Sequence, residues 1–249
     1  MYTGSGSGSR LLSVPQDDVV HGNLDASTGI NSSSESITDS FTRASSIFAL
    51  TGSALSFVTT GAVLIVFAYV KYRTRMPFGL RNHLIICLLL ADFINSFNNT
   101  ISGIKFVSTG SLHTGVRCTI NGFVGQWTVQ ASDFFVLLMA IATYLSLTSS
   151  YRWACKHTWL QRHINLITTI PWIIGLTTAV IAQVATGYEP VIGNWCWIPV
   201  YPVAYRWVLT LGPRMVIIGV IFILYAVLMA QVNLAWKESR TNVLSTESF

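Results

Sequence analysis

Charge is scarce in this chain. Only 10% of its 249 residues are Asp, Glu, Lys or Arg and 51% are hydrophobic, against roughly 25% charged in a soluble domain. That balance excludes an ordinary water-soluble globule. The few cysteines and histidines are dispersed (Cys87, Cys118, Cys155, Cys196; His21, His83, His113, His157, His163), and none falls at the spacing of a structural metal site. No Ser/His/Asp set stands at one depth, and no paired intramembrane aspartates stand in a protease context. No metal, no cofactor and no enzymatic activity is therefore expected. No apolar run precedes residue 46, so no cleaved signal peptide is expected and the first apolar stretch must act as its own insertion signal. There is no internal repeat. The net charge of +5 resides in residues that flank apolar stretches, and it calls for no nucleic-acid partner.

What the chain does have is five apolar stretches, each long enough for the ~20 residues that cross ~30 Å of hydrocarbon. They predict spans at Ser46–Val70, Asn82–Ile104, Cys118–Ser149, Ile164–Thr186 and Val203–Ala235. The third and fifth exceed a minimal crossing, so they are expected to tilt or project. The expected fold is an all-α membrane protein, a transmembrane helix bundle over residues 46–236. Before it, residues 1–45 are rich in Gly, Ser, Thr and Asp; they offer too little apolar surface to offset ordering and are expected to form a disordered extracellular tail. After it, residues 237–249 read as a short polar cytoplasmic tail.

Orientation follows from Lys and Arg in short loops. Loop 71–81 carries Lys71, Arg73, Arg75 and Arg81, and loop 150–163 carries Arg152, Lys156 and Arg162. The alternate loops carry Lys105 and Arg117, then Arg206. The expectation is a multi-pass plasma-membrane protein with its N-terminus outside and C-terminus cytoplasmic. Trp153, Trp159 and Trp236 fall at the inner boundary and Trp195, Trp197 and Trp207 at the outer, as an interfacial belt requires.

This topology leaves Cys118 and Cys196 as the two cysteines on the oxidising side, which predicts a disulfide from the head of span three to the second outer loop; the alternative is two free thiols. Ionisable residues inside a bilayer are costly and face the bundle or a water cavity. Asp92, Asp133 and Arg214 are such residues. Asn95 and Asn99 follow Asp92 at i+3 and i+7, and Gln126, Gln130 and Asp133 share one face of span three. A polar core joining Asp92, Asn95, Asn99, Asp133 and Arg214 is expected, with Asp133–Arg214 as its ion pair. Such a core either locks helices together or moves between states. Gly212-Pro213 in span five reads as a possible hinge.

Leu88-Leu89-Leu90-Ala91-Asp92 resembles the signature on helix two of G-protein-coupled receptors. More narrowly, Arg81–Ser96, the run Cys118–Phe134, Tyr205-Arg206-Trp207 and Gly212-Pro213-Arg214 resemble the fungal glucose/carbon-sensing receptors, relatives of the slime-mould cyclic-AMP receptors. The similarity covers residues 46–236, with the helix-three block its most specific part. Two departures stand out. The Asp-Arg-Tyr triplet of rhodopsin-like receptors is absent, Ala142-Thr143-Tyr144-Leu145 occupying that place, and five apolar stretches are present where the family has seven.

The resemblance implies a receptor in a seven-helix architecture, apparently truncated after helix five, that senses glucose or another small nutrient and couples to a heterotrimeric G protein and cAMP signalling. Its expected ligand contacts are Gln126, Gln130, Trp195, Tyr205 and Arg206, with interface anchoring the favoured role for Trp197 and Trp207. Its expected Gα-facing residues are Lys71, Arg73, Arg75, Arg152 and Lys156. The alternatives are a non-signalling receptor fragment or modulator, and a transporter or channel subunit. Asn31-Ser32-Ser33 fits the N-glycosylation pattern on an outer tail; Asn98-Asn99-Thr100 also fits but falls inside or close to the membrane.

Overall fold

A computed structural model describes residues 28–74, 79–148, 162–191 and 194–246. The chain divides into two compact units, Met1–Ser40 and Phe41–Phe249. The described part of the first is helical, and the bundle belongs to the second. Among the described residues, five helical spans are long and apolar enough to cross a membrane: Ser40–Thr74, Leu80–Thr109, Val116–Leu147, Ile164–Ala185 and Val203–Leu234.

The elements are α1 (Thr28–Thr74), α2 (Leu80–Thr109), α3 (Val116–Thr148), α4 (Ile164–Ala185), a hairpin of β1 (Glu189–Pro190) and β2 (Cys196–Trp197), the short α5 (Val203–Arg206), a π-helical turn (Trp207–Leu211) and α6 (Gly212–Thr246). The last three form one continuous fifth span. α2 ends where Gly110 takes the left-handed conformation, φ 75°, and donates its N–H to Phe106 O. Gly187 does the same after α4, at φ 71°, with its N–H on the carbonyls of Ala182 and Gln183.

One boundary differs from expectation. α1 begins at Thr28, so residues 28–45 are helical rather than a disordered tail; the fifth span ends at Leu234, close to the expected Ala235, and its helix continues to Thr246. The reason is cooperativity. Neither extension contains proline, and prolonging a helix already nucleated in the apolar segment is far easier than starting one. Within α1, Ser45 and Ser46 turn their hydroxyls back onto the Thr42 carbonyl at 2.9 and 2.8 Å. Asn31 therefore lies on a helix rather than a loop.

α3 is the axis of the bundle and packs on α2, α4, α6 and both strands of the hairpin. Its contact with α4 is close because Gly175 has no side chain: a Cβ there would sit 2.5 Å from the Trp127 carbonyl oxygen. The Trp127 indole N–H crosses the same seam to the Trp172 carbonyl at 3.1 Å, and Phe135 and Trp172 meet edge to face. Leu84, Ala131 and Phe135 form the core beneath. α1 meets α2 through Ser96–Ser56 at 3.0 Å and Phe57 stacked on Phe93. The bundle is inverted relative to a soluble protein. Gln126, Gln130, Thr128 and Thr210 are buried, while Phe48, Ile65, Val208 and Phe222 are exposed, as expected where lipid rather than water surrounds the helices.

Candidate functional site

The site grows from the head of α3. Cys118 and Cys196 form a disulfide with Cα atoms 5.4 Å apart, which fixes β2 against the first turn of α3. Asn121, one turn on, accepts the Cys196 backbone N–H at 2.8 Å through Oδ1. The Asn98 side chain on α2 donates to the Asn121 carbonyl at 2.9 Å, and the Ser102 hydroxyl donates to the Asn194 carbonyl at 2.5 Å. Helix two, helix three and the hairpin are thus tied at one end. The Tyr188 ring packs on Gly122, where a Cβ would approach it to 2.6 Å. The Tyr188 hydroxyl donates to the Ala179 carbonyl at 3.0 Å, and burial pushes its phenol well above the usual range.

Beside this clasp lie two open cavities, one of about 450 Å³ at the edge and an inner one of about 320 Å³ between α2, α3, the hairpin and the fifth span. The inner cavity is lined by Asn95 and Asn99 from α2, by Asn121, Gly122, Gln126 and Val129 among the residues of α3, and by Trp195, Trp197 and Arg214. The Asn99 amide donates to Asn95 Oδ1 at a long 3.4 Å. Gln126 is 2% exposed and fully engaged: Oε1 accepts the Trp197 indole N–H at 3.0 Å and the Thr210 hydroxyl at 3.1 Å, and Nε2 donates to the Leu209 carbonyl at 3.3 Å. Arg214 presents one edge to Asp133, Nε to Oδ2 at 3.0 Å and Nη2 to Oδ1 at 3.3 Å.

The expected residues are sorted by this geometry. Asp133 and Arg214 pair, but the single polar core divides. Asp92 takes the Ser132 hydroxyl at 2.9 Å and lines neither cavity, whereas Asn95 and Asn99, one and two turns along α2, reach the inner one. Gln126 and Trp195 line that cavity; Gln130, Tyr205 and Arg206 do not. Gln130 is 1% exposed, because the α3 turn that carries it is closed over by its neighbours. Tyr205 lines the outer groove with Glu189, Tyr201 and Thr186. Arg206 instead clasps the hairpin, its Nη2 donating to the Ile198 carbonyl at 2.7 Å and its guanidinium lying 5.1 Å from the Trp197 ring centroid. Trp197, expected to be an interface anchor, has its indole turned inward onto Gln126, while Trp207 is exposed. Lys71 and Arg73 are exposed on the last turn of α1; Arg75, Arg152 and Lys156 lie outside the described residues.

Asn121, Ser132 and Thr210 were not singled out in the sequence. Asn121 and Thr210 had no signal beyond being polar within an apolar segment. Ser132, adjacent to Asp133, could have been found by asking which α3 residue faces Asp92.

Comparison with known proteins fixes the class. The solved structure of squid rhodopsin superposes with a TM-score of 0.62 at 19% identity, covering 82% of this chain and 56% of that one, so the helices are arranged as in a seven-helix receptor. The family described as "G protein-coupled glucose receptor regulating Gpa2" matches residues 42–239; the chain belongs to that family. A curated relative, the ascaroside receptor GPR2 of Arthrobotrys oligospora, is 28% identical over 170 residues, 67% of this chain. The chain spans 40% of that relative's length.

Proposed function

We propose that the inner cavity is the ligand site of a nutrient receptor and that it takes one small, uncharged, hydroxyl-bearing molecule, with glucose the first candidate. The observation that carries this is the makeup of the cavity wall. Four amides, two indoles and one guanidinium converge on about 320 Å³, near the lower end of small-molecule sites and suited to a single sugar ring. Amides and a guanidinium bond hydroxyl oxygens, and indole faces cover the apolar faces of the ring. Asp133 balances the Arg214 charge, which leaves no net positive charge for an anionic ligand.

In this account the disulfide end faces outward and the end carrying Lys71, Arg73, Arg75, Arg152 and Lys156 faces the cytoplasm, where these residues meet a G-protein α subunit that controls cAMP. Asn31 on the outward end is the glycosylation site. The family description supports coupling to a G protein. The curated relative's name supports a second ligand class, ascarosides.

The test is isothermal titration of D-glucose and of an ascaroside into the chain in lipid nanodiscs. Saturable glucose binding that Asn95→Leu and Asn99→Leu abolish is expected. Binding by the ascaroside alone would transfer the site to the second class, and glucose binding untouched by both variants would place the site elsewhere.

A further inference from the structure

Pro213 leaves a backbone acceptor without its helical donor. In a regular helix the N–H of residue 213 would bond the carbonyl of Leu209, and proline has none to give. The chain answers locally with a π-helical turn at Trp207–Leu211, in which the Gly212 N–H reaches the Trp207 carbonyl, and Gly212 permits this because a Cβ would lie 2.8 Å from that oxygen. The answer for Leu209 comes from another helix: Gln126 Nε2 donates to its carbonyl at 3.3 Å. A side chain of α3 therefore completes the backbone of the fifth span at its one irregular point.

The same amide faces the cavity, and its other end holds the lid. Gln126 Oε1 accepts from Trp197, the residue after disulfide-bonded Cys196, and from Thr210 within the π-helical turn. On the other side of Pro213, Arg214 also lines the cavity and is held to α3 by Asp133. The fifth span is thus gripped by α3 immediately before and immediately after its proline, and both grips end in the cavity wall.

We propose that Gln126 transmits occupancy of this cavity to the fifth span. A ligand hydroxyl competes with Trp197 and Thr210 for Gln126 Oε1. As the amide turns to the ligand, its Nε2 leaves the Leu209 carbonyl, and the π-helical turn rearranges about Pro213 while Asp133–Arg214 holds the segment beyond as a pivot. Gln126 acts through the backbone of span five and is a positioning residue. A π-helical turn departs from the regular α-helical ladder and is frequent at functional sites, so an exchanged bond there can bias the backbone arrangement. This inference rests on the cavity being the ligand site.

The test separates binding from motion. Spin labels at Ser146→Cys on α3 and Leu234→Cys on α6, both exposed, are placed in a background with Cys87 and Cys155 replaced. Distances are measured in nanodiscs with and without D-glucose, alongside glucose titration. The wild-type background should bind glucose and shift the distance distribution. Gln126→Leu removes both the acceptor for Trp197 and Thr210 and the donor for Leu209 and should show no shift at saturating glucose. Pro213→Ala, at a residue outside the cavity wall, restores the N–H that Leu209 lacks; it should bind glucose within about threefold of wild type, ~0.7 kcal/mol, and show no shift. A wild-type-sized shift in both variants, or glucose binding by the wild-type background with no shift, overturns the proposal. Loss of glucose binding in Gln126→Leu together with a wild-type-sized shift in Pro213→Ala would make Gln126 a ligand contact alone and overturn its role as transmitter. Absence of glucose binding in the wild-type background overturns the underlying assignment of the site.

Discussion

Arg214 meets Asp133 along one edge of its guanidinium, through Nε and Nη2. This geometry matters because a guanidinium has five N–H donors in a planar fork, so the opposite edge is available to the cavity that Arg214 lines. The pair joins α3 to α6 and places a charged group beside the site without giving the site net charge.

Asp133→Asn should therefore lower stability by about 1–3 kcal/mol, below the range for a fully buried pair because the Arg214 side chain is 38% exposed. Thermal unfolding in detergent measures this. The exchanged pair Asp133→Arg with Arg214→Asp should recover part of the loss. In a cell assay, Asp133→Asn should reduce any agonist response more than surface expression; equal losses of both would mark the pair as a structural lock alone.

Removing the disulfide should cost function as well as stability. Cys118 and Cys196 close a loop of 78 residues, for which the chain-entropy model gives about 4.5 kcal/mol in water. Membrane insertion already restrains the unfolded chain, so a loss nearer ~2 kcal/mol is expected for Cys118→Ser with Cys196→Ser. Because Trp195, Cys196 and Trp197 line the cavity, glucose affinity should also fall about tenfold, ~1.4 kcal/mol. Dithiothreitol titration followed by calorimetry measures both effects.

Gly175 should tolerate no side chain. A Cβ would stand 2.5 Å from the Trp127 carbonyl and 3.1 Å from the Ala131 nitrogen, and backbone atoms cannot swing aside. Gly175→Ala should cost about 1–3 kcal/mol through forced separation of α3 and α4. Gly219, with open space beside it, is the control: Gly219→Ala should be neutral or stabilise by up to ~1 kcal/mol. Thermal midpoints of the two variants compare them directly.

Tyr188 gives the fold an alkaline limit. Its buried phenol is held protonated above the usual value of about 10. A group whose folded pKa is raised contributes its stability below the unfolded value and loses it as pH climbs from there towards the folded one. Unfolding midpoints should therefore fall above pH ~10 more steeply for the native chain than for Tyr188→Phe. At neutral pH Tyr188→Phe should cost about 1 kcal/mol for the bond to the Ala179 carbonyl.

Five spans and one ion pair could be read from sequence because a bilayer imposes a length on apolar runs and a strong penalty on unpaired charge. Asp133 and Arg214 had to find partners, and they were the deepest opposite charges available. The amides were harder. Gln126 and Gln130 lie one turn apart on α3 with the same chemistry, yet one reaches the cavity and the other is sealed; only the packing of the hairpin distinguishes them. Trp197 was misplaced for a related reason, since an indole near a membrane boundary suits an interfacial belt and an inward hydrogen bond equally well. The helical extension of α1 was missed because composition describes a segment by itself, while helix propagation depends on what it is attached to.

Photolabelling tests the central claim, that the inner cavity is where ligand binds, most directly. The chain in nanodiscs is irradiated with a diazirine-bearing glucose analogue, and labelled peptides are mapped by mass spectrometry. Label on peptides carrying Asn95 and Asn99, Asn121 to Val129, or Trp195 to Trp197, competed away by D-glucose, is the predicted result. Label confined to the outer groove at Tyr201 and Tyr205, or label that D-glucose does not displace, would contradict it.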